Sequence, residues 1–264
     1  MRVTTTSVVA DRGRSNEDFV GAVPTAAVVV DGAFIPGAEG ACRHGVAWYA
    51  HRLGADLLSL VECAGDETLP ALLAAAIEQV TDAHGHTCDP ADPRSPWAAV
   101  AMVRVRHGLV EHLVLGDATV VLDRADGEAP TAVTDQREVA ISQSYVPALE
   151  AARDDDERDR VLGELRARRN HPGGFWAAKD DPRAADEAVT GQVAVGDLRA
   201  VALMSNGASR VVDRFGLTDW AGVMAALDTS GPADLVARVR GAEHRLAVPQ
   251  DDATIAYCTD LGGP

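Results

Sequence analysis

An apolar run, A-A-V-V-V at residues 26–30, ends abruptly in Asp31-Gly32, and the chemistry open to this chain starts there. Such a run suits a strand buried on both faces, with the Asp31 carboxylate where the strand meets solvent. A charge in that position costs desolvation free energy unless something pairs with it, and in a chain this acidic a metal ion is a natural partner. Taken alone, the dipeptide reads more readily as an Asp-Gly turn. Its company along the chain matters more. Asp117 closely follows the apolar stretch 109–115, Asn206 follows 199–204, and Asp251-Asp252 precede 253–258. Four strand ends therefore carry Asp or Asn, the hard oxygen donors that Mg and Mn require. The polar loop D-R-G-R-S-N-E-D at 11–18 adds Arg12, Arg14, Glu17 and Asp18. Antiparallel pairing of the strands around that loop brings Glu17 and Asp18 near Asp31; otherwise the loop is a solvated turn.

The elements that must position these groups follow from periodicity. Residues 4–10 and 26–32 read as strands. A helical stripe then runs through Val46, Tyr49, Leu53, Leu57 and Leu60. A second helix has Thr68 as its cap, Pro70 in its first turn, and Leu72, Leu73, Ile77 and Val80 as its apolar face, ending near Gly85. The middle of the chain reads as a β meander, 98–106, 109–115 and 119–122, with turns at His107-Gly108 and Gly116-Asp117. Residues 147–170 are charged and helical, a solvated face to which no chemistry is assigned. H-P-G-G-F-W-A-A at 171–178 points to close backbone approach at a strand start. A buried strand at 199–204 closes on Ser205-Asn206-Gly207. Helices at 218–227, capped by Thr218, and at 232–246, opened by Pro232, precede the last strand, 253–258.

Composition bounds the partners. The 264 residues suit one large domain, 1–264, and 47% apolar with only 4% aromatic residues means a core of aliphatic layers. A net charge of −16 without a compact basic block argues against a nucleic-acid backbone or an anionic membrane as partner and favours cation binding. No stretch is apolar enough to span a bilayer and the N-terminus lacks a signal-type run, so a cytoplasmic location is expected. Cys42, Cys63, Cys88 and Cys258 lack paired spacing and are expected as reduced thiols. H-G-H-T-C at 84–88 crowds three metal-ligand types together, but zinc sites draw on two separated pairs. No second pair is in view, so no zinc is expected there.

In this order the motifs resemble those of the metal-dependent serine/threonine protein phosphatases of type 2C, the PPM family, over nearly the whole chain. N-E-D at 16–18 is similar to the family's first acidic motif, V-V-D-G at 29–32 to its metal-bridging Asp-Gly, and L-G-D-A at 115–118 to its Gly-Asp-Ser. P-G-G-F-W-A at 172–177 resembles the stretch before its activity loop, M-S-N-G at 204–207 its Ser-Asp-Gly, and D-D-A-T at 251–254 its terminal Asp-Asn-x-Thr/Ser. The resemblance implies an α+β fold, a sandwich of two antiparallel sheets flanked by helix pairs in α-β-β-α layers, with a binuclear Mg or Mn centre at one end. It implies that Asp31 bridges two metals, Gly32 offers its carbonyl, Asp251 ligates one metal, and Glu17 and Asp18 hold metal-bound waters. Asp117 would serve a third, weaker site, and Arg12 or Arg14 would bind phosphate; the family's spacing to N-E-D is one residue longer than that from Arg14. The implied reaction is attack of a metal-bridging hydroxide on a phosphoserine or phosphothreonine of a protein substrate. Two departures stand out: Asn206 replaces an Asp of the metal set, and Arg210 occupies a position usually held by another. They leave two readings, a phosphatase with a weakened centre and a pseudophosphatase that binds a phosphopeptide or protein partner.

Overall fold

The computed structural model describes residues 1–10, 13–33 and 42–262. Arg12 and the segment 34–41 lie outside them. In chain order the first half carries β1 (Arg2–Val8), β2 (Asp18–Val23), β3 (Ala26–Ala33), α1 (Gly45–Cys63), α2 (Leu69–Gly85), β4 (Trp97–Arg106), β5 (Leu109–Leu115), β6 (Thr119–Arg124) and β7 (Thr131–Thr134). The second half carries α3 (Arg137–Ala151), α4 (Asp155–Arg166), β8 (Val189–Ala194), β9 (Leu198–Met204), α5 (Asn206–Asp213), α6 (Trp220–Ser230), α7 (Pro232–Leu246) and β10 (Ala253–Thr259).

Alternation along β3 sets the layers. Residues 26–30 are all fully buried, and successive side chains of a strand point to opposite faces. Ala26, Val28 and Val30 pack with Tyr49, Leu53 and Leu57 of α1 and with Leu73, Ile77 and Val80 of α2. Ala27 and Val29 face the other way, onto Val120 and Leu122 of β6, Val201 and Leu203 of β9, and Ala256 and Cys258 of β10. The opposite outer face, Ala202, Met204 and Ile255, packs on Val223, Met224, Leu235 and Val239 of α6 and α7. Each buried Val or Leu contributes roughly 1.5–3 kcal/mol, so these three mostly aliphatic seams, with Tyr49 and Tyr257 among their buried side chains, define α-β-β-α layers.

One sheet runs β2-β3-β4-β5-β8 and the other β1-β10-β9-β6-β7, with antiparallel neighbours throughout. The meander expected through the middle of the chain is therefore broken. β4 and β5 form a hairpin, but the Gly116-Asp117 turn carries the chain into the opposite sheet, where β6 pairs with β9. Residues near the start do not pair with β3 either; β1 lies beside β10, and β2, unanticipated, pairs with β3 so that Asp18 stands opposite Asp31.

Other departures have local causes. The charged segment is helical, as expected, and is divided into α3 and α4. α3 begins ten residues before Pro147 and contains it, with no side chain fully buried, while α4 buries only Val161. Asp219, not Thr218, caps α6, because its carboxylate accepts from the Gly222 amide at 2.8 Å. Residues 171–178 start no strand: Phe175 and Ala178 make isolated bridges to Arg169 and Ala98. Asn206 opens α5 instead of ending in a loop. The α1–α2 hairpin brings Cys42 and His44 against the 84–88 cluster, supplying the second ligand pair that the sequence reading lacked. Among the described residues, no helix is long and apolar enough to cross a membrane.

Candidate metal centre

The inward face that buries Ala27 and Val29 continues to Asp31, so the carboxylate emerges between the sheets at one end of the sandwich. Asp18, its cross-strand partner, faces the same way and is 3% exposed. The second sheet meets them with polar groups of matching parity. The Ser205 amide donates to the Thr254 carbonyl at 3.0 Å, and the Thr254 amide returns a bond to Ser205 Oγ at 3.0 Å. Ser7 Oγ lies 2.7 Å from Thr254 Oγ1 and accepts from Asn16 Nδ2 at 2.7 Å.

Two glycines make the approach possible. A Cβ on Gly32 would fall 2.4 Å from the Glu17 carbonyl oxygen, which accepts from the Gly32 amide at 3.1 Å, so the Glu17 backbone lies directly on β3. A Cβ on Gly207 would fall on the Asp252 carbonyl, and its absence lets α5 start against the residue 251–252 backbone. Asp252 then clamps the N-terminal loop: its carboxylate accepts from the Glu17 amide at 2.5 Å and from the Ala10 amide at 2.7 Å.

The result is a cavity of about 270 Å³ whose lining includes Glu17, Asp31, Gly32, Asp117, Asn206 and Asp251. The structure thus brings six of the predicted site residues to one place. Asp18 sits buried beneath that set, and Arg14 stands at the rim, 3.3 Å from Glu17 Oε1. Sequence reasoning missed Glu138, at the first turn of α3, and Trp97, at the start of β4, both of which line the cavity. It also missed Arg169, whose guanidinium stacks 3.4 Å from the Trp97 ring and is pushed down to about 10 by burial. An acid inside a first helical turn and a Trp opening a strand are ordinary features, and only the fold sets them beside Asp117.

Crowded carboxylates repel. Asp31 is held well above the usual carboxylate range, first by burial and then by Asp18, Asp117 and Asp251. Burial pushes Asp18 up to about 7, against hydroxyls of Thr254 and Ser205 that pull it back, and Asp252 and Asp251 add to the rise. Glu138 is pushed up to about 7 by burial and then by Asp117, and Asp117 itself is raised by burial. These groups hold protons in the folded chain that they release when unfolded. Their stabilising effect is full below the ordinary carboxylate range and is lost as pH rises through about 7. Metal-free protein is therefore expected to melt higher at pH 6 than at pH 8, by on the order of 5 °C, with the gap narrowed in Asp18→Asn. Calorimetric scans across that window check it, and a melting temperature that rises from pH 6 to pH 8 would refute the assignment.

Whether these residues suit a divalent cation depends on which side of the cavity is considered. Asp18 Oδ2 is buried without a hydrogen-bond partner, and around Asp31 the acids outnumber nearby donors, so the Glu17–Asp18–Asp31–Gly32 side fits a cation. On the other side, protein donors already hold the carboxylates. The Asn206 amide donates to Asp31 Oδ2 at 2.7 Å, Asn206 Nδ2 to Asp117 Oδ2 at 2.6 Å, and Arg210 to Asp251 Oδ2 at 2.5 Å. Arg210 is in turn fixed 3.1 Å from Glu243, which is fully buried. A cation between Asp31 and Asp251 must compete with that guanidinium.

Two antiparallel five-stranded sheets, packed between helices and open onto acids at one end, constitute the fold of the bacterial type 2C serine/threonine phosphatases. The Mycobacterium tuberculosis serine/threonine phosphatase PstP/Ppp aligns over 98% of this chain and 97% of its own, at 17% identity and a TM-score of 0.62. Stp1 from Staphylococcus aureus aligns over 97% and 94%, at 12% identity and a TM-score of 0.63. The catalytic domain of PstP in complex with 2 manganese ions aligns over 98% and 97%, at 16% identity and a TM-score of 0.60. No family model and no curated protein matches the sequence.

Proposed function

We propose that this chain is a metal-dependent phosphoprotein phosphatase acting on phosphoserine or phosphothreonine, with one well-provided Mg or Mn position and a second that Arg210 weakens. The observation that supports this reading above others is the convergence of Glu17, Asp31, Gly32, Asp117 and Asp251 on one cavity in a phosphatase fold. Asp31, Gly32 and Asp251 would hold the cations, with Glu17 and Asp18 beside them and Asp117 at the outer, weaker position. Bound there, they would activate water and neutralise phosphoryl charge. The chain's own groups do the rest. Asp252 and the Gly32 amide fix the Glu17 backbone from either end, and Asp18 pairs opposite Asp31 where β2 meets β3, so that the Glu17 and Asp31 carboxylates are oriented before a substrate arrives. Arg14, exposed at the rim beside Glu17, is placed to attract a phosphate. Arg12 keeps the same candidate role from the sequence.

A second reading rests on one observation: Asn206 and Arg210 satisfy Asp31, Asp117 and Asp251 without any ion. On that reading the chain is a pseudophosphatase whose cavity binds a phosphopeptide or a protein partner without turnover. Titrating Mn into purified protein with a phosphothreonine peptide separates the two. Phosphate release that grows with Mn and saturates only at excess metal is expected. Peptide binding with no release at any Mn concentration would leave the binding module.

A further inference from the structure

A second metal site of different chemistry lies outside the acidic cavity, at the end of the helix hairpin. Cys42 and His44 immediately precede α1, His84 lies in the last turn of α2, and Cys88 follows in the next turn. The amides of Thr87 and Cys88 both donate to the His84 carbonyl, at 3.2 and 3.1 Å, which folds Cys88 back beside the His84 ring. One ligand atom from each of the four residues lies within 4.8 Å of all the others. Cys42 Sγ is 3.0 Å from His84 Nε2 and 4.0 Å from His44 Nδ1; Cys88 Sγ is 3.6 Å from His44 Nδ1 and 3.9 Å from Cys42 Sγ.

Those separations have a natural meaning. Zinc holds thiolate sulfur at about 2.3 Å and imidazole nitrogen at about 2.0–2.1 Å in a tetrahedron, whose edges are then about 3.8 Å between two sulfurs and about 3.5 Å between sulfur and nitrogen. The four separations given lie within about 0.5 Å of these edges. Supporting contacts orient the ligands: the other nitrogen of His44, Nε2, lies 3.1 Å from Thr87 Oγ1, and the His44 ring stacks on Trp48 at 4.2 Å between centroids. Cys42 and His84 are buried, and Cys88 is half-buried, so neither pair is a pair of loose surface side chains.

We propose that Cys42, His44, His84 and Cys88 form a Cys2His2 zinc site. Two thiolates and two imidazoles select a soft or borderline ion, so the site takes zinc and leaves Mg and Mn to the carboxylates. With four protein ligands no position stays open for substrate, and the role is structural. The ion ties the entry to α1 to the exit of α2.

The test is elemental analysis of the full chain purified without chelator. About one zinc per chain is expected, retained in Asp31→Asn and lost in Cys42→Ser/Cys88→Ser. Because the double variant can fail to fold, the wild-type chain is also stripped and reloaded with Co(II). Intense visible bands of tetrahedral cobalt and a thiolate-to-cobalt charge-transfer band support the site, as does displacement of both by zinc. Chain that binds neither zinc nor cobalt, octahedral cobalt without charge transfer, or zinc persisting in a folded double variant would each overturn it. So would a Cys42–Cys88 disulfide in protein isolated from a reducing cytosol, detected as a mass 2 Da lower with no zinc bound, since the pair would then be a thiol–disulfide couple.

Discussion

Asp31→Asn is expected to abolish Mn-dependent hydrolysis, lowering kcat/KM by about 10³-fold or more, while making the metal-free protein more stable. The two effects share one cause. Asp31 is forced up from the ordinary carboxylate range by burial and by Asp18, Asp117 and Asp251, so folding the metal-free chain at neutral pH costs either a buried charge or the uptake of a proton, and a bound cation offsets that cost. The amide keeps the side-chain oxygen that accepts from the Asn206 amide and removes the charge. A gain of roughly 1–2 kcal/mol in the metal-free state corresponds to about 2–6 °C in a chain of this size. Added Mn should then produce no further shift, whereas the parent gains stability with Mn by mass action. Scanning calorimetry with and without Mn, beside a phosphopeptide assay, reads both. If Asp31→Asn still responds to Mn or keeps the parental rate, the cavity is not the metal centre.

How much of this was legible in sequence depends on the range of the interaction. Asp31 was legible because strand alternation and burial of both faces are written into five consecutive apolar residues, and the carboxylate that ends them has one place to go. The caps at Thr68 and Pro70 and the β4–β5 turn at His107-Gly108 are equally local. The Gly116-Asp117 turn looked like another hairpin because both flanking runs are apolar. Which sheet receives β6 is decided by packing of Val120 and Leu122 between the sheets, and that information is not in the turn. Cys42 and His44 were passed over for the same reason: they lie 40 or more residues from His84 and Cys88, and only the antiparallel packing of α1 on α2 makes them one cluster. From the sequence, Arg210 stands out only as a departure from the acidic set. Its buried partner, Glu243 on α7, which it holds together with Asp251, could not be guessed from a spacing of 33 residues.

That partner changes what restoring the acidic set should do. Asn206→Asp removes the donor to Asp117 and puts two carboxylates where an amide and a carboxylate stood 2.6 Å apart. Metal-free protein should lose roughly 1–3 kcal/mol, and Mn should recover it, so that affinity for Mn rises together with the rate of phosphopeptide hydrolysis. The gain is limited while Arg210 still holds Asp251 at 2.5 Å. Replacing Arg210 by an acid alone would leave Glu243, fully buried, with Arg240 at 2.8 Å as its remaining partner and a new charge nearby. Losing one partner of a buried ion pair costs about 3–5 kcal/mol, enough to hide any catalytic benefit behind unfolding. The informative variant is therefore Asn206→Asp/Arg210→Asp/Glu243→Gln, which frees Asp251 and replaces a buried carboxylate that has lost Arg210 with a neutral amide whose oxygen can still accept from Arg240. It is expected to bind Mn at least 10-fold more tightly than the parent, a difference of about 1.4 kcal/mol, and to hydrolyse phosphopeptide faster at low Mn. Titration calorimetry and initial rates decide the matter. A folded triple variant with parental Mn affinity and no rate gain would mean that Arg210 is not what restrains the centre, and the pseudophosphatase reading would then rest on the cavity itself.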